Sequence, residues 1–301
     1  MKKKRLFTVA LICLMAFALF IGCGGGEDDG RNAVENETSI AGNAGAEEDT
    51  AEGGLSAKEI VSLSAGAMAE FDSYRGDVVM NMDMEANGEA AVIKIDIEMD
   101  VFTNPYKVKM KMKMEPQVEG FGDIESYVIS EGSNLVTYIN ALGAWYKRTQ
   151  PFSEEPLGQY SMAQYTGMLD DTLKHAEIVA QEAVNGIPCW KIAVTVNMST
   201  MMDIMAGLMG ESLGGLVPSE MFDRFGDTIT TVWISQDDYC QIKLDMNMAE
   251  MLNSLFKDAG EDIAVTEYNF SVTTTDFNNI ADFTLPEDAK LAAELPSDDT
   301  L

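Results

Sequence analysis

The sequence predicts an α+β protein whose body is one strongly curved antiparallel sheet wrapped over a few amphipathic helices. Three observations carry that reading. Residues 78–114 alternate apolar and polar side chains with period two through three successive segments, the pattern of strands with one dry and one wet face. Turn-forming pairs separate the segments. Stretches with helical spacing precede and interrupt the strands, each apolar on one side, and burying those sides against the dry face of the sheet is the economical arrangement.

The elements follow in order. Ser56-Ala57-Lys58-Glu59 has the spacing of a capping box, with the serine accepting from a backbone N–H and the glutamate reaching back. Behind it Ile60, Leu63, Ala67, Met68 and Phe71 recur at helical spacing, so a helix is predicted over 56–74. Val78, Met80, Met82 and Met84 then alternate with Asn81, Asp83 and Glu85, and Asn87-Gly88 supplies a turn with positive φ. Ile93, Ile95, Ile97, Met99 and Val101 alternate with Lys94, Asp96, Glu98 and Asp100. After Asn104-Pro105, Val108, Met110, Met112 and Met114 alternate with Lys107, Lys109, Lys111 and Lys113. If Asn104 and Pro105 are the central turn residues, Asp100 faces Lys109, Glu98 faces Lys111 and Asp96 faces Lys113. The same register sets Val101 opposite Val108, Met99 opposite Met110 and Ile97 opposite Met112. One register thus matches charges outside and apolar groups inside.

Further strands are predicted at 124–130, 135–140 and 144–149, then a helix at 161–174 opened by Ser161-Met162-Ala163-Gln164. Strands at 176–183 and 187–197 flank Asn185-Gly186. Residues 198–213 read as a helix with Met198, Met201, Met202, Met205, Leu208 and Met209 on one face. A short helix near 218–225 leads to a hairpin, 228–235 and 239–248, turned at Asp237-Asp238. A helix at 249–258 and strands at 263–274 and 278–284 complete a set of about ten strands, and the residues from Pro286 are expected to fray.

The order of these elements resembles the LolA/LppX-like fold. The features that carry the likeness are the amphipathic helix at 56–74, the long strand hairpins, Gly143-Ala144-Trp145-Tyr146-Lys147, and the ending Phe283-Thr284-Leu285-Pro286-Glu287-Asp288-Ala289. The likeness covers residues 55–290 and is similar to uncharacterised Gram-positive lipoproteins. It implies a half-barrel with an apolar cavity. Several members of that fold carry acyl chains of lipids or lipoproteins, and others sense envelope stress.

The N-terminus has the layout of a secretory signal. Lys2, Lys3, Lys4 and Arg5 precede an apolar run from Leu6 to Ile21, short of the roughly 20 residues that a spanning helix needs. The run ends in Phe20-Ile21-Gly22-Cys23, which resembles a bacterial lipobox, so residues 1–22 are expected to be removed and Cys23 to receive a diacylglycerol. Residues 23–54 are Gly-, Glu-, Asp- and Asn-rich. They bury too little to offset their ordering entropy, and as a flexible tether would reach about 30 Å. Residues 55–290 read as a single domain and 291–301 as an acidic tail. The expected location is the outer face of the cytoplasmic membrane.

Charge narrows the partners. The chain carries a net charge of −30, and losing the four basic residues of the signal takes this to −34. Nucleic acid is excluded as a partner, because phosphate binding needs clustered cations. The expected partners are the membrane through the lipid on Cys23, a lipid or other apolar ligand, and an envelope protein. Cys189 and Cys240 occupy opposite faces by strict alternation unless a bulge intervenes, which argues against a disulfide between them.

Catalytic motifs are incidental or missing. Gly210-Glu211-Ser212-Leu213-Gly214 has the spacing of a nucleophile elbow but follows a helical segment, and His175, the one histidine, precedes it. Ser254-Leu255-Phe256-Lys257 matches S-x-x-K without its companion motifs. One histidine and two further cysteines fall short of a transition-metal site, and Asp170-Asp171 lacks calcium-loop spacing. No phosphate-binding or dinucleotide fingerprint occurs. No enzyme activity and no cofactor are expected.

Methionine is the feature that stands out, at 21 residues in 301. Unbranched thioethers fill irregular cores and also re-pack around varied apolar guests. The expected ligand-binding face therefore comprises Met80, Met82, Met84, Ile95, Ile97, Met99, Met110, Met112, Met201, Met202, Met205 and Met209. Two readings stay open: a carrier or binder of an apolar ligand, and a sensory or protein-interaction lipoprotein on the same scaffold.

Overall fold

The structure, a computed structural model, describes residues 54–86, 88–116, 123–141, 143–151, 173–197, 227–258 and 262–294. The expected lipidation site Cys23, the expected helices at 198–213 and 218–225, and Met201, Met202, Met205, Met209 and Ser212 lie outside the described residues.

Helix α1 spans Ala57–Ala69. Its start is the expected capping box: Glu59 N donates to Ser56 Oγ at 3.3 Å and Ser56 N donates to Glu59 Oε2 at 2.8 Å. The bonds that Ser56 N and Ser56 Oγ donate to Glu59 Oε2 hold the Glu59 carboxyl below its ordinary range. The helix ends earlier than 74, because Ser73 and Tyr74 already belong to strand β1, Ser73–Ala86. Its buried stripe is Ala57, Ile60, Val61, Ser64 and Met68, while Leu63, expected inside, is 44% exposed. The stripe follows positions i, i+3, i+4 and i+7 from Ala57, and Leu63 falls off that arc.

Strands β2 (Glu89–Thr103) and β3 (Tyr106–Glu115) complete the expected meander. Their pairing has the expected register throughout: Glu98 opposite Lys111, Met99 opposite Met110, Val101 opposite Val108. Strands β4 (Ile124–Glu131), β5 (Asn134–Ala141) and β6 (Ala144–Pro151) extend the sheet on one side. β7 (Leu173–Val184) takes in Leu173 and Lys174, which the sequence placed at the end of a helix. It joins β8 (Ile187–Asn197) through Asn185 and Gly186, with φ of 52° and 83°, the paired left-handed residues of a tight hairpin. β9 (Asp227–Ser235), β10 (Gln241–Asn247), helix α2 (Ala249–Asp258) and β11 (Ile263–Thr275) follow.

Among the described residues twelve strands, the last being β12 (Ala293–Glu294), form one curved, unclosed sheet, in the order β12-β6-β5-β4-β3-β2-β1-β11-β10-β9-β8-β7. Two helices accompany it there, so the described residues are mostly sheet. The main core lies on one face, here the inner face. There α1 contributes Ala57, Ile60 and Val61, and α2 contributes Leu252 and Phe256.

The C-terminal segment departs from expectation. Residues 278–284 are not a strand, and the chain from Pro286 does not fray through 294. The segment instead runs over the outer face as a strap. Asn278 Oδ1 accepts from Asp72 N at 2.7 Å and Ser73 N at 3.2 Å. Phe283, Leu285 and the fully buried Ala289 pack on Tyr127, Val136 and Tyr138. β12 (Ala293–Glu294), placed by sequence in an acidic tail, pairs in parallel with β6. Outer-face aromatics on β4 and β5 need cover, and a segment without strand geometry supplies it.

Candidate functional site

The inner face is built from rows of side chains that pass from strand to strand through directly opposed residues. One row runs from Ile178 on β7 through Ile192, Val232 and Leu244 to Val272 on β11. It continues through Val78, Ile97 and Met112 to Ile124 on β4. Nine strands are crossed without one polar side chain. Strict alternation produces this: every even-numbered position of β1 from Val78 to Met84 and every odd-numbered position of β2 from Ile93 to Ile97 point the same way.

Six of the expected ligand-binding residues lie deep in this lattice: Met80, Met82, Met84, Ile95, Ile97 and Met112 are all at most 4% exposed. Met99 and Met110 are half-buried at the margin of the core. Met99 reaches across to Gly76, where an added Cβ would come 3.2 Å from Met99 Cε. The sequence reading did not include Met246, Met248, Tyr268 and Phe270, which join the same core. Their signal was available in the alternation of 241–248 and 263–274.

Polar groups on the inner face are sparse. Tyr74 is half-buried as a whole, yet its hydroxyl is withdrawn from water, and burial alone pushes it up to about 12. Tyr268 Oη donates to Met80 Sδ at 3.3 Å. Thr230 Oγ1 is buried without a partner.

The outer face is charged. Asp100 bonds Arg75 Nε at 2.8 Å, and Asp96 bonds Lys94 at 2.8 Å. Neither closes on the lysine opposite it. Lys107 pairs with Asp282 of the strap and sits 4.7 Å from the Phe102 ring and 5.2 Å from that of Phe283. Its hydrogen bond holds the Asp282 carboxyl low. On β9, Trp233 Nε1 donates to Glu182 at 2.6 Å beneath Lys191 and Lys243, 5.0 and 4.5 Å from its ring.

Cys189 and Cys240 are free, buried thiols in a small cluster with Met68, Trp233 and Ile242. Cys189 pairs with Ser235 on β9, and Ser235 N donates to Cys240 O at 2.9 Å. A strand therefore stands between them. Two strand spacings amount to about 9–10 Å, beyond the roughly 7 Å that a disulfide spans. Burial raises both thiols, Cys240 to about 12.

His175 is exposed at the edge of the sheet, with Nε2 4.0 Å from Glu177. Ser254 and Lys257 lie on α2. Among the described residues no group of three or more His, Cys, Asp or Glu side chains is placed to hold a metal ion. None of the described helices is long and apolar enough to cross a membrane.

A helix ahead of β1, a long antiparallel meander open at both edges, helices against one apolar face and a C-terminal strap follow the order of elements that resembles the LolA/LppX-like fold. The model of DUF6612, a family of unknown function, matches residues 56–294, and the chain belongs to that family. It is similar to the solved structure of lipoprotein LppX from Mycobacterium tuberculosis, at 13% identity over 75% of this chain and 96% of that one, with a TM-score of 0.44. LprF from Mycobacterium bovis is similar at 13% identity over 77% and 97%, with a TM-score of 0.44. A LolA superfamily protein from Nitrosomonas europaea shows 9% identity over 76% and 96%, with a TM-score of 0.23. No curated protein sequence matches the chain.

Proposed function

We propose that the protein is a lipoprotein held outside the cytoplasmic membrane by a lipid on Cys23, and that it binds or carries a lipid or other apolar ligand on the inner face of its sheet without catalysing a reaction. The observation that carries the reading is the nine-strand row without a polar side chain, flanked by methionines at most 4% exposed. Burying an acyl chain there would contribute about 0.8 kcal/mol per methylene. Methionines allow the face to re-pack when a guest arrives or leaves.

Native mass spectrometry of the purified chain tests this. A co-purifying lipid mass, lost on extraction with organic solvent, is the expected result. A compact chain that never carries a ligand would instead favour a sensory or protein-interaction lipoprotein with a filled core.

A further inference from the structure

Thr230 breaks the chemistry of the row it belongs to. It lies on β9 between Val194 on β8 and Met246 on β10, and the row goes on through Phe270, Met80 and Ile95. Its side chain is 3% exposed. Among the described residues its Oγ1 is the fully buried side-chain oxygen or nitrogen that has no hydrogen-bond partner.

Packing does not account for a hydroxyl here. Valine has the same shape, and Val194, Val196 and Val232 are valines at neighbouring inner-face positions, while Thr228, the other neighbour on β9, is only half-buried. A buried hydroxyl without a partner costs stability that valine would not. A threonine on a strand also lacks the helical option of bonding the carbonyl one turn back. Another hydroxyl of the inner face, Tyr268 Oη, donates to Met80 Sδ, a weak acceptor.

We infer that Thr230 is the polar anchor of the ligand face, its hydroxyl donating to the carbonyl oxygen of an uncharged acyl ester whose chain lies along the apolar rows. The inference rests on the reading of the inner face as a ligand site. A free carboxylate fits less well. Neither the row of Thr230 nor the neighbouring row from Ile178 to Ile124 holds a cation, and an unpaired buried ion is costly.

The test uses the full chain, purified in a dialysable detergent and freed of it, with diphenylhexatriene as fluorescent reporter. Methyl oleate and octadecene compete for the reporter; they share a hydrocarbon chain, and the first carries an ester. Thr230→Val is expected to weaken methyl oleate roughly three- to tenfold, the worth of one hydrogen bond. It should leave octadecene unchanged and raise the melting temperature of the free protein. Thr230→Ser is expected to keep the preference for the ester. Equal losses for both competitors, or no loss for methyl oleate, would overturn the anchor and leave the ligand face standing. If the reporter does not bind the wild-type chain at all, the ligand-binding reading itself fails, and the anchor with it.

Discussion

Asn253 on α2 grips the backbone of Val265 on β11 from both sides. Its Nδ2 donates to Val265 O at 2.7 Å, and Val265 N donates to its Oδ1 at 2.7 Å. The contact falls where the register between β1 and β11 shifts, so that Asp83 faces Glu267 but Met84 faces Val265. Thr266 is the extra residue, and its Oγ1 donates to Asp83 O at 3.2 Å. A bulge frees backbone groups from the ladder, and a side-chain amide can satisfy a donor and an acceptor at once. Asn253 therefore pins α2 to the inner face beside the methionine rows. Asn253→Ala leaves both backbone groups short of a partner and should cost about 2–3 kcal/mol in urea unfolding. Asn253→Asp keeps the acceptor and loses the donor, so it should retain part of the stability.

The inner-face assignment is tested on a single hairpin. Met82 is 2% exposed and Val92, on the neighbouring strand, is 61% exposed. Alternation puts them on opposite faces, with Val92 opposite Asp83. Met82→Ala should destabilise by about 2–5 kcal/mol through loss of contacts and the cavity left behind. Met82→Asp should cost several kcal/mol and leave little folded protein. Val92→Asp should change stability by no more than about 0.5 kcal/mol. Similar effects from the two aspartates, read from urea midpoints, would reverse the faces.

Much of this was legible in the sequence, for a physical reason. Where one face is buried, a slip of one residue moves every side chain to the wrong side, so the alternation of 78–114 fixes both strands and register. Tight turns helped: Asn185-Gly186 marks the β7–β8 hairpin by its need for positive φ. The strap was not legible. Residues 276–292 follow no period, because their hold comes from scattered anchors such as Asn278, Phe283 and Ala289 landing on distant strands. The partners of the outer-face charges were hidden too. Register opposes Asp100 to Arg75 on β1 as well as to Lys109 on β3, and the carboxylate closes on the arginine; Lys107 turns to Asp282 of the strap. Thr230 looked like any strand threonine, and only the lack of a partner around it marks it out.

Asp77 gives a pH dependence with a definite sign. Burial raises its carboxyl above the ordinary 3.8, helped by repulsion from Glu98 and resisted by Arg75. A raised folded-state value means the native state holds the proton more tightly than the unfolded chain. Stability from that group is fully present below 3.8 and is lost as pH rises through the higher folded value. Asp77→Asn should therefore raise the melting temperature at pH 7. The gain should shrink to nothing near pH 3, where the wild-type carboxyl is protonated in both states. A gain that persists at low pH would assign the effect to packing instead.

Cys23→Ser removes the thiol that a diacylglycerol would occupy. The proposed anchor predicts that the variant leaves the membrane fraction on cell fractionation, while the wild type stays there through a high-salt wash. The distinction matters because a net charge of −30 gives no electrostatic route to an anionic membrane. A serine variant that still sediments with membranes after the wash would show that the apolar run from Leu6 to Ile21 is itself the anchor.

The Glu98–Lys111 pair separates register from energy. The two residues are directly opposed, as are Asp96 and Lys113, yet Glu98 and Lys111 are both exposed. The close ion pairs of this face go elsewhere, to Arg75–Asp100 and Lys94–Asp96, each at 2.8 Å. Exposed pairs in water trade Coulomb attraction against side-chain entropy and screening, and many contribute nothing measurable. A double-mutant cycle with Glu98→Ala and Lys111→Ala should then give a coupling within experimental scatter. Like charges directly opposed on a strand pair are unfavourable, so Lys111→Glu should still lower the urea midpoint, and more so in low salt than in high. Adding Glu98→Lys to Lys111→Glu restores opposite signs across the hairpin and should recover part of the loss, the remainder being repulsion from Glu125, which faces position 111 on β4. Partial recovery with no coupling in the alanine cycle would mean that the ladder excludes wrong pairings more than it binds the right one; no recovery at all would mean the two side chains do not sense each other across the hairpin.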